Sequence, residues 1–150
     1  MTGSSPLYRS ILIALDDSPR APAVFDAGVA LARLAGAQVF LVRVLTGPAE
    51  IPAAAHTEHD QLDRDVEQMV RAELRRLTDA IPDVPFVAPV VVDGDPWRRI
   101  LEVAQQIDAD LIVIGSHRLH GVERLLGTVA SRVVNHADRS VLVVRDRAPR

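Results

Sequence analysis

The 150-residue chain has no cysteine, and all 17 of its basic Lys or Arg positions are arginine. Without cysteine there are no disulfides, thiol nucleophiles or Cys-based zinc sites. Without lysine there is no Schiff-base chemistry and no lysine for a Walker A phosphate loop. Any phosphate site must therefore use backbone amides, hydroxyls, histidine or arginine. Aromatics are scarce: Tyr8, Phe25, Phe40, Phe86 and Trp97 are too few for a base-stacking platform. The formal charge of −3 gives no global field favouring nucleic acid or an anionic membrane. Apolar stretches such as Leu111–Ile114 and Val141–Val144 are far too short to span a bilayer. Met1 to Ser10 lacks the apolar centre of a signal peptide. The expectation is a cytoplasmic protein that binds neither nucleic acid nor membrane.

What is present is apolar and periodic. With 48% hydrophobic and 25% charged residues, the chain suits one domain over 1–150, its core at about 10–145. Ile11–Leu15 reads as a buried strand. Ser18 is placed to cap a helix with Pro19 in its first turn; Val24, Ala27, Leu31 and Leu34 follow at helical spacing as far as Gly36. Val39–Leu45 is a second strand. A loop runs from Thr46 to about Thr57. A long amphipathic helix with Leu62, Val66, Met69, Val70, Leu74 and Leu77 on its inner face follows. Phe86–Val92 is a third strand, and Pro89 within it predicts an edge position, because proline cannot donate to a ladder. Asp95-Pro96 opens a helix that turns Trp97, Ile100, Leu101, Ala104 and Ile107 inward. Leu111–Ile114 is a fourth strand, Gly127-Thr128 opens a helix through about Ala137, and Val141–Val144 is a fifth strand. No internal repeat interrupts the order. Apolar strands alternating with helices predict a doubly wound α/β fold with a five-stranded parallel sheet and helices on both faces. Ligands of such sheets bind beyond the carboxyl ends of the strands, where strand order reverses.

Three loops at strand ends carry polar groups: Asp16-Asp17-Ser18, Asp93-Gly94-Asp95, and Gly115-Ser116-His117-Arg118 running on through Gly121 to Gly127-Thr128. A glycine at a strand end admits a ligand to the backbone. A Gly-Thr pair at a helix start offers amides, a hydroxyl and the positive end of the helix dipole. The same residues also serve plain loop closure and capping, and Asp16 and Asp17 serve equally as helix caps.

The segments ILIALDDS, GDPWRRILEVA and DADLIVIGSHRLHGVERLLGTVASRVVNHADRSVLVVR resemble the universal stress protein family over about Ser10 to Arg145. The resemblance implies a Rossmann-like sheet of the adenine nucleotide alpha hydrolase type, in the order 3-2-1-4-5. It implies an ATP site, with or without Mg²⁺, in a homodimeric stress-response protein that regulates by binding. In nucleotide-binding members the fourth-strand loop reads Gly, two residues, Gly, nine residues, Gly, then Ser or Thr. Gly115, Gly127 and Thr128 take the first and last positions. Arg118 stands where the second glycine belongs, and the loop is one residue short, as in a subgroup with a similar Ser-His-Arg loop. Carried over, Asp16 meets the adenosine, Ala14 and Leu15 wall the base, and Val44 offers backbone groups to adenine. Ile114, Gly115 and His117 line ribose and phosphates, while Gly127, Thr128, Val129 and Ala130 donate to the phosphates. Arg118 and Arg124 are nearby cations that could replace the lost glycine amide with charge.

Competing readings stand beside these. His117 also suits a solvated loop position, and His120 and His136 suit the surface. His56 and His59 are three apart but lack a third ligand for a metal. Arg75-Arg76 and Arg98-Arg99 read as solvated helix faces. Two alternative functions remain, a dimeric interaction module that binds no nucleotide and a slow ATP hydrolase. No triad or carboxylate dyad supports a faster enzyme. Val141–Val144, apolar on both faces at the chain's end, is the expected dimer edge.

Overall fold

The computed structural model describes residues 5–46, 56–116 and 127–145, with 56–60 described by backbone alone. The elements are β1 (Ser10–Leu15), α1 (Ala21–Ala35), β2 (Gln38–Leu45), α2 (His56–Asp79), β3 (Val87–Asp93), α3 (Pro96–Gln106), β4 (Leu111–Gly115), α4 (Thr128–His136) and β5 (Ser140–Val144). The five strands are parallel in the order β3-β2-β1-β4-β5, as expected. Pro89 sits opposite Leu41 on β3, an edge strand, where its missing N–H costs no second ladder.

Side chains alternate across the sheet, so each central strand feeds two cores. Ile11, Ile13, Leu15, Val39, Leu41, Leu111 and Val113 pack with Val24, Val29 and Ala32 of α1 and Val70 and Leu74 of α2. Leu12, Ala14, Val42, Ile112 and Ile114 pack on the other face with Ile100, Val103 and Ala104 of α3 and Val133 of α4. β1 is buried throughout because both faces are covered and both edges paired. Long-range polar contacts brace this frame. Asp110 Oδ2 accepts the amides of Arg9 at 2.7 Å and Ser10 at 2.9 Å, aligning the start of β1 with β4. The Arg139 guanidinium donates to the carbonyls of Ala104 at 2.8 Å and Ala109 at 2.9 Å, closing the end of α3.

Four expectations need correction. Ser18 does not cap α1; the helix begins at Ala21, with Arg20 in the cap position and Pro22 rather than Pro19 in the first turn. The cause is local. Asp16 Oδ1 accepts the Ser18 amide at 3.0 Å and Ser18 Oγ accepts the Arg20 amide at 3.3 Å, so a side-chain-closed turn precedes the helix. The second difference is in α2, where Leu62, Val66 and Met69 are 57%, 41% and 72% exposed instead of buried. A 24-residue helix is about 36 Å long, whereas the 8-residue β2 spans about 26 Å, so the helix overruns the sheet. Its later turns, with Val70, Leu74 and Leu77, do the packing. Third, β3 starts at Val87, leaving Phe86 outside the strand with its ring edge-on to Phe40 at 5.6 Å. Fourth, Arg99 is not a solvated face residue; it is half-buried and pairs with Glu102.

Candidate functional site

The strand order reverses between β1 and β4: from β1 the chain builds outward through β2 and β3, then returns to β4 on β1's other side. Loops leaving the carboxyl ends of β1 and β4 therefore diverge and leave a crevice. A cleft of about 360 Å³ lies there. Of the expected site residues, Ala14, Leu15, Asp16, Val44, Ile114, Gly115 and Val129 line it. Its floor and walls are largely apolar, with Val24, Val42, Val70 and Ile100 added from both cores. Asp17, Ser18, Arg20, Arg43 and Thr46 supply further polar groups.

Gly115 ends β4 where α1 comes close. A Cβ there would meet Val24 Cγ2 at 2.9 Å, so helix–strand packing already explains the missing side chain. Beyond it, Ser116 is buried and tied on three sides. Its amide donates to the Val144 carbonyl at 3.1 Å, its Oγ accepts the Gly127 amide at 3.1 Å, and its carbonyl accepts the Arg20 guanidinium. Ser116 thus joins β5, the start of α4 and the start of α1 around one end of the cleft.

Gly127, Thr128 and Ala130 are beside the cleft rather than among its wall residues. Gly127 occupies the cap position of α4. The first bond of the helix runs from the Ser131 amide to the Gly127 carbonyl at 2.9 Å, so the amides of Thr128, Val129 and Ala130 have no intrahelical acceptor. These groups point the positive end of the α4 dipole at the β4 side of the crevice. Ala130 is buried in the core, so only its backbone can serve a ligand. The expected amide of Gly127 is already engaged by Ser116.

His117 and Arg118, with His120, Gly121 and Arg124, lie outside the described residues, as do the side chains of His56 and His59. His136 is on the exposed surface, as expected, with its Nδ1 2.9 Å from the Arg132 carbonyl and its ring 4.7 Å from that of Trp97. The sequence reading named Ser116 in a polar strand-end loop without assigning it to the site, and it missed Arg20 and Arg43. Ser116 carried a weak signal, standing directly after Gly115; Arg20 and Arg43 carried none, since their place in the cleft depends on long-range packing. No described helix is long and apolar enough to cross a membrane.

Fold and crevice together define a doubly wound α/β domain with a ligand cleft at its switch point. The universal stress protein family model matches residues 7–145, and the chain belongs to that family. It is 30% identical over 144 residues to universal stress protein A homolog 1 of Coxiella burnetii, covering 91% of this chain and 96% of that one. The structure of UspA from Lactobacillus plantarum is similar at TM-score 0.75 and 26% identity, over 92% of this chain and 98% of that one. A universal stress protein solved in complex with cAMP shares the fold at TM-score 0.70 and 24% identity, over 94% of this chain and 98% of that one.

Proposed function

We propose that this chain is an adenine-nucleotide-binding regulatory protein, that ATP is its ligand, and that it works in the cytoplasm as a homodimer without being an enzyme in its own right. The observation that carries the reading is the switch-point cleft itself. It joins Asp16, the end of β2 at Val44 and the amide-bearing start of α4 on one crevice of about 360 Å³. A carboxylate at one end suits ribose hydroxyls or an adenine amine. Helix amides without an intrahelical acceptor at the other suit phosphates. A universal stress protein solved in complex with cAMP supports an adenine nucleotide as the class of ligand. Mg²⁺, if it accompanies ATP, arrives with the phosphates.

Equilibrium binding of a labelled ATP analogue tests the proposal. Saturable binding in the wild type that is lost in Gly127→Val and weakened in Asp16→Ala is the expected result. No binding at millimolar nucleotide, or binding unchanged in both variants, refutes it. Homodimer formation is proposed through the open edge of β5, whose Val141 and Val143 are half-buried against the α3–α4 core. Charged substitutions at both should give monomers; a dimer that survives them refutes this interface.

A second reading has one observation in its favour. The Gly127 amide, an expected phosphate donor, is satisfied within the protein by Ser116. An interaction module that binds no nucleotide would keep that bond permanently. Freshly purified protein with no co-purifying nucleotide, and no thermal shift with ATP, would select this reading.

A further inference from the structure

We infer that Arg43 is the residue that grips the purine of the bound nucleotide, its guanidinium plane lying on the ring; this rests on the nucleotide reading above. Arg43 lies near the carboxyl end of β2, opposite Leu15 of β1 and Val91 of β3. Alternation along β2 sends Val39, Leu41 and Leu45 to the α1–α2 side, and Arg43 shares their parity. It is half-buried, lines the cleft, and also lines the adjoining groove between α1 and α2. Among the described residues no hydrogen bond or ion pair engages it. A guanidinium held partly out of water without an internal partner is placed to receive one from a ligand.

Geometry and charge decide which part of the ligand it meets. On the nucleotide reading the phosphates meet the first-turn amides of α4, which have no intrahelical acceptor, on the β4 side, where Arg20 also reaches across to Ser116. β1 separates β2 from β4, so the two ends of the cleft are about 10 Å apart. A nucleotide with its phosphates on α4 therefore has its base at β2. Charge agrees. Asp16 and Asp17 line the cleft and share with Arg43 the groove between α1 and α2, and carboxylates disfavour a phosphate beside them. Their field repels anions from that end of the cleft. The partner that satisfies both is a neutral π-system, on which a guanidinium stacks. Because stacking uses the ring face, Arg43 contributes affinity for the base whatever the phosphate number.

The test uses the full chain and titrates adenosine, AMP, ADP and ATP into wild type, Arg43→Met and Arg43→Lys. Arg43→Met should weaken all four ligands alike, by about 5- to 30-fold. The gain in affinity per added phosphate should match wild type, which a general distortion of the cleft would reduce. Arg43→Lys, charged but without the plane, should recover only part of the loss. A loss that grows with phosphate number, no loss at all, or full recovery in Arg43→Lys overturns the inference. A wild-type chain that binds none of the four overturns the nucleotide reading as well, so the two failures are told apart. If Arg43→Met melts well below wild type without ligand, Arg43→Gln serves under the same criteria.

Discussion

Gly28 lies in the middle of α1, directly over Ile13 of β1. A Cβ at position 28 would fall 2.4 Å from Ile13 Cδ1 and 2.6 Å from its Cγ1. Both separations are far inside van der Waals contact. Ile13 cannot retreat easily, since it is fully buried, β-branched, and flanked by Leu41 and Val113 on the neighbouring strands. Two effects oppose each other in Gly28→Ala. Helix propensity favours alanine by about 1 kcal/mol. Overpacking a well-filled core costs about 1–3 kcal/mol. The larger effect wins, and Gly28→Ala should destabilise by about 1 kcal/mol, lowering Tm by about 2–4 °C in a chain of this length. Ile13→Ala removes both offending atoms at a cost of about 2–5 kcal/mol. In that background the extra methyl enters vacated space, so the same Gly28→Ala change should stabilise by about 1 kcal/mol. Urea unfolding of the four proteins in the cycle measures the sign directly. If Gly28→Ala has the same sign in both backgrounds, or the two changes add to within about 0.5 kcal/mol, the close approach of α1 to β1 is not what requires glycine.

Three further outcomes follow from other contacts. Ser116→Ala leaves the buried Gly127 amide without its acceptor and should cost about 1–2 kcal/mol in urea unfolding; a change under about 0.3 kcal/mol would remove Ser116 as the tie at α4. Leu74→Ala should cost about 2–5 kcal/mol and Met69→Ala less than about 0.5 kcal/mol, because only the first of these α2 residues is buried; equal costs would refute the division of that helix. The hydrogen bond from Arg139, aided by its charge, holds the Asp138 carboxyl below the ordinary aspartate range. A depressed folded pKa gives stability that is present above the unfolded pKa and lost as pH falls through the folded one. Wild-type stability should therefore exceed that of Asp138→Asn near neutrality and converge with it in acid, and an NMR titration of the Asp138 carboxyl should move upward in Arg139→Gln; an unmoved titration refutes the pairing.

The strands and the β3 edge were legible because their signals are local, whereas the order 3-2-1-4-5 was implied by the family resemblance. Continuous β-branched runs mark strands covered on two faces, and Pro89 marks an edge by the donor it lacks. The site was legible to the extent that topology alone places it: residues at the ends of β1, β2 and β4 meet because those strands are neighbours. Side chains that reach it across the fold were not legible. Arg20 joins Ser116 across 96 positions, and nothing near either residue announces the contact. The α2 face misled for a related reason. Helical period shows which residues share a side, but the length of the sheet beneath decides how many turns are covered.

The sequence also posed alternatives that the geometry allows together. Asp16 could be a cap or a ligand-binding carboxylate; here its Oδ1 accepts the Ser18 amide, and its side chain also lines the cleft. A carboxylate has about four lone-pair sites, so the hydrogen bond from the Ser18 amide is compatible with further donors at the same group. The turn that displaced Ser18 from the cap of α1 thus leaves Asp16 able to accept from a ligand. Gly115 follows the same logic. Val24 leaves no room for a Cβ there, and the bare backbone that results at the end of β4 would also admit the proposed ligand. Packing and the proposed binding ask for the same residue at these positions. Gly115→Ala should therefore lower both thermal stability and nucleotide affinity when the two are measured on the same variant, and loss of one without the other refutes the shared role.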